Sequence, residues 1–465
     1  MPKARLISAA LVSVALLSAC AQIPQRSQVQ TGPNLNSVSA NETINYSPAE
    51  PLDGQTEKET VTGHITAGTG PQNDYSTARN YLTQKFRAKW TPSDEVLVQY
   101  GPLQVLVGSD HQVEVRLKIQ AYVDSNGYLH SLDTPEDRTL KYQLTKENGN
   151  WRISDGPNLT IVNKPVFDVL FTGYSIYFFD NAHQYLVPEL RWFPVRASTG
   201  TRLVNALLAG PSKWLEKAVA TSLPNDVKLA IQSVAIADGV AHIDLNSKAV
   251  AASTMQLRYF VAQLEATLRQ LDTVTSVELS IDGNVRSLGA LSYLQPAELN
   301  PNPIALTKNG LKYLNPGTTS VAGSQALVKT TEATDFAIEV NNRDIVLKSS
   351  KGTFWGRLGQ IDRTVTRVDE RSNALNPVFD TSGLIWSLSR SRGSSVHLLT
   401  STGLKTKVDA RWLADYNVDS FSLSPEGSRA ALVVHNGLTS KLLVSAVIRT
   451  ATGLPIELGE PYEIT

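Results

Sequence analysis

Cys20 has the most distinctive chemistry in this sequence, because it is the only cysteine among 465 residues. It directly follows an apolar segment, Leu6–Ala19, and Lys3 and Arg5 place positive charge before that segment. The segment is shorter than the roughly 20 residues that a membrane-spanning helix needs. The pattern is typical of a secretory signal peptide with its cleavage site just before Cys20. The alternative is an ordinary signal peptide with a cysteine near the cut by chance.

The tetrapeptide Leu17, Ser18, Ala19 and Cys20 resembles the lipobox of bacterial lipoproteins. In that family the thiol takes a diacylglyceryl group, cleavage leaves the cysteine N-terminal, and its amino group takes a palmitoyl chain. The resemblance implies that residues 1–19 are a signal peptide and that Cys20 anchors the chain in the cell membrane at its extracytoplasmic face. No cysteine then remains for a disulfide, so the cores of the domains must hold them together.

Other residue patterns that carry chemistry are sparse. The sequence has no His-Glu-x-x-His, P-loop or Gly-x-Ser-x-Gly motif, and its seven histidines are scattered. His242 alternates with apolar neighbours and is expected on an exposed strand face. Asp244 and Asp282, at predicted strand ends, are the best-placed carboxylates for acid–base chemistry, although such residues more often cap turns. We expect no enzyme activity, no catalytic residues, no metal site and no cofactor.

Composition excludes some classes of partner and fold. The chain has 43 basic residues (Lys and Arg) and 43 acidic residues (Asp and Glu), so its net charge is neutral. This balance offers no electrostatic reason to expect a nucleic-acid partner. A hydrophobic content of 42% with 18% charged residues is typical of globular chains rather than membrane bundles. The length predicts two to four domains.

Aromatic residues concentrate between Tyr174 and Pro194. They could form a surface that stacks sugars or contacts a partner. They could instead belong to two strands, Ser175–Phe179 and Tyr185–Val187, that bury the rings. We favour the strand pair, because no cluster of carboxylates accompanies the rings.

The elements before this stretch predict a tether and a small domain. Residues 20–70 are rich in Ser, Thr, Asn, Pro and Gly and predict a flexible tether, or an edge strand at Thr60–Thr66. Residues 71–195 are predicted to form an α+β domain with a curved sheet. Its helix is expected from Asp74 to Trp90, and its longest strand has the alternating pattern of Val113–Val123.

Residues 196–295 predict a second α+β unit. A short helix, Thr201–Leu208, precedes an alternating strand, Val240–Leu245. Apolar residues then recur at helical spacing from Leu257 to Leu271, and Val277–Ile281 predicts a further strand. A strand, a helix and a strand in this order are typical of a βαβ unit.

Three segments of this unit resemble the GerMN domain, namely Leu203–Pro211, Gly239–Leu245 and Val277–Gly283. Just before them, the segments Tyr177–Asp180, Tyr185–Pro188 and Arg191–Pro194 resemble the actinobacterial lipoprotein LpqB family. That family implies a lipobox, a tether, an N-terminal domain, a GerMN domain and a C-terminal β-propeller, in this order. It also implies association with the extracytoplasmic domain of the MtrB sensor kinase, as an accessory of a two-component system in envelope homeostasis. The alternatives are a cell-wall glycan-binding module and a tethered wall hydrolase.

Residues 325–465 predict an all-β domain. Phe379–Trp386 and Leu423–Leu432 share the pattern of a strand, a glycine turn and a second strand. Gly383 and Gly427 lie about 44 residues apart, the repeat length of a propeller blade, and Phe336–Asn342 resembles an earlier copy. The sequence therefore predicts a multidomain α+β and all-β chain that ends in a partial propeller of roughly three blades. The partial propeller is expected to have an open edge, which would arise from a truncated reading frame or be completed by another chain. The alternative fold for this domain is a β-sandwich.

Overall fold

The computed structural model describes residues 48–196, 198–295, 302–314, 319–341, 343–359, 364–393 and 395–464. The predicted signal peptide, the lipobox with Cys20 and the first part of the predicted tether lie outside these residues. No helix in the described ranges is long and apolar enough to cross a membrane.

The predicted fold class is confirmed, with two α+β domains followed by all-β structure. The first domain is built on a five-stranded sheet in the order β4-β3-β2-β1-β5, in which only the β1–β5 pair is parallel. Its strands are β1 (Glu95–Val107), β2 (Gln112–Asp124), β3 (Leu129–Glu147), β4 (Asn150–Asp155) and β5 (Thr160–Asn163). Its helices are α1 (Glu57–Ala67), α2 (Ser76–Asn80), α3 (Gln84–Arg87) and α4 (Lys164–Leu170), with a 3-10 turn at Gln72–Asp74.

Alternation along β2 produces the core of this domain. Val113, Val115 and Ile119 are fully buried and pack with residues of α1 to α3, whereas the intervening polar residues are more exposed. Ala121 and Val123 instead contribute to a second, smaller cluster with α4. The strand predicted at Val113–Val123 is confirmed.

The predicted tether is wrong from residue 57 onward, because α1 belongs to the folded domain. Thr56 and Glu59 form a capping box, in which each side chain accepts a hydrogen bond from the other's backbone N–H. Val61 and Ile65 are buried in the core. The threonines and the glycine in this helix are weak helix formers, so composition hid it. The predicted edge strand does not form either.

The helix predicted from Asp74 to Trp90 is broken into α2 and α3. Asp74 and Tyr75 have positive φ angles of 53° and 58°, so Asp74 does not act as an N-cap. Thr83 instead caps α3 by accepting a hydrogen bond from Phe86 N. Tyr75 and Phe86 are nevertheless buried, so the apolar spacing predicted burial correctly and the continuous helix wrongly.

The middle domain contains two sheets and two main helices. The sheet orders are β7-β6-β8 and β12-β11-β10-β9. Strands β10 and β11 are parallel and α6 connects them, which confirms the predicted βαβ unit. The elements are β6 (Phe171–Asp180), β7 (Leu186–Pro194), α5 (Thr199–Ala209), β8 (Val219–Ala220), β9 (Ala235–Ala237), β10 (Val240–Leu245), α6 (Thr254–Leu268), β11 (Ser276–Ile281) and β12 (Asn284–Val285), with a 3-10 helix at Ser247–Ala251.

The aromatic stretch forms the strand pair that we favoured, but this pair belongs to the middle domain. Ile176 and Phe178 of β6 share one core with Leu203 of α5 and Leu264 of α6. The boundary predicted between residues 195 and 196 therefore lies too late in the chain. Most of these rings are buried, since a strand that alternates toward a helix layer hides every second side chain.

The last part begins with a hairpin and a helix and continues with three sheets of propeller type. The hairpin consists of β13 (Ile304–Thr307) and β14 (Gly310–Tyr313), and α7 (Ser324–Thr331) follows it. The first sheet contains β15 (Asp335–Ile338), β16 (Asp344–Ser349), β17 (Gly352–Arg357) and β18 (Val365–Asp369). The second contains β19 (Val378–Phe379), β20 (Ile385–Ser387), β21 (Val396–Leu399) and β22 (Lys405–Val408). A 3-10 helix, Arg411–Asp415, precedes the third, which contains β23 (Asn417–Leu423), β24 (Arg429–Asn436), β25 (Thr439–Arg449), β26 (Pro455–Leu458) and β27 (Tyr462–Ile464).

The predicted repeat is visible in the turns of these sheets. Gly383 and Gly427 lie between the first and second strands of the second and third sheets, with φ angles of 77° and 73°. Phe336, from the segment that resembles an earlier copy, lies in β15, the first strand of the first sheet. One face of the first sheet packs on α7 and the hairpin, and neighbouring sheets pack on one another. The third sheet also packs on the middle domain, whose core includes Ala446 of β25.

Candidate binding clefts and the contacts that join the domains

A small cleft opens in the middle domain between the C-terminus of α5 and the loop after β8. We call it the middle-domain cleft, and its volume is about 150 Å³. Phe178, Phe260 and Gln263 line its inner part, and the loop residues Thr221–Val227 line the other side. Leu207–Gly210 bring the last turn of α5 to the same cleft.

A buried polar pair lies in this cleft. The Ser222 hydroxyl donates to Gln263 Oε1 at 2.6 Å, and Gln263 Nε2 donates to the Tyr177 carbonyl at 3.1 Å. Ser222 and Gln263 are both almost fully buried, so strand β6 fixes the orientation of the amide. Asp226 lies in the loop with a φ of 68°, and its carboxylate has no ion-pair or hydrogen-bond partner among the described residues.

A wider cleft lies in the first domain, with a volume of about 580 Å³. We call it the lysine cleft, because Lys85 and Lys89 contribute ammonium groups from one side of it. Thr145 and Ser154 add hydroxyl groups from β3 and β4. Both lysines are exposed and form no ion pair in the described part of the chain. Asp155 adds a carboxylate to the same lining, so the mixed charges and hydroxyl groups suit a hydroxyl-rich ligand.

A buried ion pair joins the first domain to the middle domain. Arg191 and Glu189 of β7 are 1% and 4% exposed, and Arg191 Nη2 lies 2.7 Å from Glu189 Oε2. The Tyr128 hydroxyl of the first domain donates to the same carboxylate oxygen at 2.9 Å, and the Ser212 hydroxyl donates to the other oxygen. Burial raises the pKa of Tyr128, although the charge of Arg191 opposes this shift. Each charge is therefore held by several partners, as a buried pair requires.

The β2–β3 turn of the first domain is clamped at this joint. Arg191 Nη1 donates to the Asn126 carbonyl at 2.9 Å, and its guanidinium lies 3.7 Å from the centre of the Tyr128 ring. Trp192 N donates to the Gly127 carbonyl at 2.7 Å. A Cβ atom at Gly127 would lie 2.8 Å from the Phe193 ring, so only glycine allows this close approach.

A second charged joint connects the propeller sheets to each other and to the middle domain. Arg449 Nη2 lies 2.7 Å from Asp380 Oδ2 and donates to the Gly427 carbonyl at 2.7 Å. Burial alone would raise the pKa of Asp380, but the charge and hydrogen bonds of Arg449 lower it overall. Asn181 of the middle domain donates to the Arg449 carbonyl at 3.3 Å, and Arg429 donates to the Pro188 carbonyl at 3.1 Å.

A third buried carboxylate lies between the first two propeller sheets. Asp369 is fully buried and accepts hydrogen bonds from the Arg371 guanidinium and the Ser387 hydroxyl. Burial opposes ionisation, but these hydrogen bonds and the charge of Arg371 lower the pKa of Asp369 to about 2. The group is thus a stable anion that links sheets, rather than a proton donor near neutral pH.

The structure places the three candidate residues His242, Asp244 and Asp282 in or beside the sheet of β10 and β11. His242 is exposed, as predicted, and its Nδ1 lies 2.9 Å from Glu278 Oε1. Asp244 Oδ1 accepts hydrogen bonds from Ser280 Oγ at 2.7 Å and Gly283 N at 2.9 Å, and therefore caps the β11–β12 turn. Asp282 lies in that turn with a φ of 48°. The predicted lipid-attachment residue, Cys20, lies outside the described residues.

Sequence reasoning missed both clefts and the buried charges. The available signal for the buried charges was the presence of Glu189 and Arg191 in β7, a strand that is otherwise mostly apolar and aromatic.

His64 was also missed. It is buried, its Nδ1 donates to the Ala78 carbonyl at 3.1 Å, and burial lowers its pKa to about 4. Among the described residues, no cluster of three or more His, Cys, Asp or Glu side chains could hold a metal ion.

Three family descriptions match the chain in consecutive segments. Residues 50–168 match "Lipoprotein LpqB, N-terminal domain". Residues 175–287 match the family described as "Sporulation and spore germination". Residues 312–465 match "Lipoprotein LpqB beta-propeller domain". The first two segments meet between residues 168 and 175, close to the boundary that the cores define.

Individual relatives show the same similarity. Lipoprotein LpqB of Cutibacterium acnes is 24% identical over 481 residues, which cover 95% of this chain and 78% of that protein. Lipoprotein LpqB of Thermobifida fusca is 28% identical over 291 residues, or 60% of this chain and 46% of that protein. Among solved structures, the first GerMN domain of the sporulation protein GerM from Bacillus subtilis is 24% identical, with a TM-score of 0.22, and the match covers 25% of this chain and 86% of that domain.

Proposed function

The chain belongs to the lipoprotein LpqB family, and from that membership we propose that it is a binding protein of the cell envelope rather than an enzyme. Lipid on Cys20 would anchor it to the extracytoplasmic face of the cell membrane. Its folded domains would contact the extracytoplasmic domain of a sensor kinase similar to MtrB and modulate that kinase. The observation that carries the proposal is the match of all three domains in order, supported by the buried charged contacts that join them.

A surface suited to a protein partner lies on the third propeller sheet. Val433, Leu442 and Ile464 stand side by side on three neighbouring strands and are 36%, 43% and 45% exposed. We call these three residues the apolar row. Contiguous exposed apolar residues favour a protein contact. The row lies beside the contact with the middle domain, where Tyr462 stacks with Trp214 at 6.5 Å between ring centres.

The test is direct binding between the full chain in detergent and the purified outer domain of an MtrB-like kinase. Leu442→Asp should weaken binding at least tenfold, because a charge at the centre of an apolar contact loses its hydration. Ile231→Asp is the matched control, since Ile231 is 68% exposed on the middle domain, away from the row. Absence of binding by the wild-type chain would refute the proposed partner. Equal binding of the kinase domain by Leu442→Asp and Ile231→Asp would refute the apolar row as the contact surface.

Binding of cell-wall glycan is a second candidate, because the lysine cleft offers ammonium and hydroxyl groups. Sedimentation with insoluble peptidoglycan would measure it. The double variant Lys85→Ala and Lys89→Ala should reduce the bound fraction several-fold. The control is the double variant Lys118→Ala and Lys141→Ala, which removes two exposed lysines of the same domain. It should leave the bound fraction unchanged. Release of soluble wall fragments by the wild-type chain would instead establish a wall hydrolase.

A further inference from the structure

We propose that the middle-domain cleft binds a primary alkylammonium group, of the kind that ends the side chain of lysine or of a diamino acid in a wall peptide. This inference is independent of the proposed kinase partner, because it depends only on the cleft between α5 and the loop 221–227.

The charges around the cleft favour a cation. Its lining contains Asp226 and no Lys, Arg or His side chain. The Asp226 carboxylate has no partner in the described part of the chain, so its charge is available to a ligand. The last turn of α5, Leu207–Gly210, also borders the cleft and adds the partial negative charge of a helix C-terminus, although the Gly210 carbonyl already accepts from Arg191 Nη2 at 3.0 Å.

The hydrogen-bonding groups in the cleft favour a donor. The Ser222 proton is committed to Gln263 Oε1 at 2.6 Å, which leaves the Ser222 oxygen able to accept. The Gln263 amide nitrogen donates one of its two N–H groups to the Tyr177 carbonyl. The Asp226 carboxylate and the Ser222 oxygen can therefore accept hydrogen bonds from an ammonium group, which offers three N–H donors and no acceptor.

The size and the inner wall favour a short alkyl chain. A volume of about 150 Å³ is below the roughly 300–1,000 Å³ of sites for whole small molecules, so the cleft suits a side chain. Phe178 and Phe260 supply an apolar wall for methylene groups. An aromatic ring near a cation adds a further attraction.

The experiment is a ligand-observed NMR titration of the full chain in detergent with n-butylammonium chloride and, separately, with n-butanol. Butylammonium should bind at least about fivefold more tightly than the neutral alcohol, since hydrogen bonds to charged groups are the stronger kind. Its affinity should fall as salt is added. Equal affinity for the two compounds, or no saturable binding of butylammonium, would overturn the proposal without any variant.

Asp226→Asn should weaken butylammonium binding about five- to tenfold. The matched control is Asp238→Asn, because Asp238 is also exposed, has a positive φ of 53° and lies outside the cleft. Asparagine tolerates the same backbone conformation, so both variants should fold. If Asp226→Asn binds like Asp238→Asn, the carboxylate does not recognise the ligand and the assignment fails.

Two peptides then distinguish the sources of the ammonium group. A short lysine peptide represents a protein ligand, and a muropeptide with a free diamino acid represents the wall. N-acetylation of the amine should abolish binding of whichever peptide binds. Retained binding after acetylation would contradict recognition of the ammonium group.

Discussion

Arg191 and Glu189 lie two residues apart on β7 and are buried where the first and middle domains meet. The two charges face each other. Glu189 accepts hydrogen bonds from Tyr128 and Ser212, and Arg191 donates to the carbonyls of Asn126 and Gly210. Loss of one partner would leave the other charge buried without compensation, which is costly in a low-dielectric interior.

Arg191→Met should therefore destabilise the protein by about 3–5 kcal/mol, measured by urea unfolding. Arg269→Ala is the control, because Arg269 forms an exposed pair with Glu265 on the surface of α6, at 3.6 Å. That change should cost less than about 0.5 kcal/mol. Similar losses for the two variants would show that the buried pair is not what holds the joint.

His64 makes stability depend on pH in a defined window. Burial lowers its pKa in the folded protein to about 4, whereas the unfolded chain has the ordinary value near 6.5. Between these values the unfolded state binds a proton that the folded state does not. The free energy of unfolding should therefore fall as pH drops from 6.5 to 4, by up to about 3 kcal/mol, and should stay constant above pH 7 as far as His64 is concerned.

Urea unfolding at pH 7.5 and 4.5 measures this effect. His64→Gln should lose less stability between the two pH values than the wild type, because the neutral amide does not titrate. His242→Gln is the matched control, because it makes the same replacement at an exposed histidine. If His64→Gln shows the same pH dependence as the wild type, other groups cause the loss of stability at low pH.

At the scale of elements, α6 is the helix on which the middle domain depends. Ser253 and Gln256 form a capping box at its N-terminus. Leu257, Leu264 and Leu268 project into the shared core with β6, β10 and β11. The helical stripe in the sequence thus corresponds to the buried face of the helix.

Leu264→Ala should destabilise the middle domain by about 2–5 kcal/mol, because Leu264 is fully buried and its loss leaves a cavity. Met255→Ala on the same helix should cost less than about 0.5 kcal/mol, since Met255 is 46% exposed. Chemical denaturation of both variants provides the comparison. A loss below 0.5 kcal/mol for Leu264→Ala would place that face of α6 outside the core.

At the scale of the whole molecule, buried polar contacts link domains that the chain order alone would leave as separate units. The first domain meets the middle domain through Arg191, and the middle domain meets the third propeller sheet through Arg429 and Asn181. A binding surface on one domain would therefore hold a fixed position relative to the others.

The position of the whole molecule in the cell is expected to depend on Cys20. Cys20→Ser should abolish lipidation and leave an unprocessed precursor, because the hydroxyl does not replace the thiol as acceptor. Each buried CH₂ contributes about 0.8 kcal/mol to membrane anchoring, so a multiply acylated cysteine should anchor durably. Gel mobility and membrane fractionation measure both effects. Maturation of the variant to the wild-type size would contradict the lipobox prediction.

The sequence by itself determined the elements whose signals are local. The alternation of Val113–Val123, the helical stripe around Leu264 and the glycine turns at Gly383 and Gly427 each lead directly to an observed element. Period-two and helical spacing record which face of one element is buried, and that information lies within a few consecutive residues. The family resemblance added the order of the domains.

Only the tertiary structure decided which elements share a core and where charges are buried. Strands β6 and β7 precede the predicted boundary in sequence but pack on α5 and α6, and α1 is stable only because Val61 and Ile65 meet the first sheet. Asp226 and Gln263 are distant in sequence, yet they line one cleft. Long-range packing overrides local propensity in these cases, because burial against distant residues contributes more free energy than the preferences of a short segment.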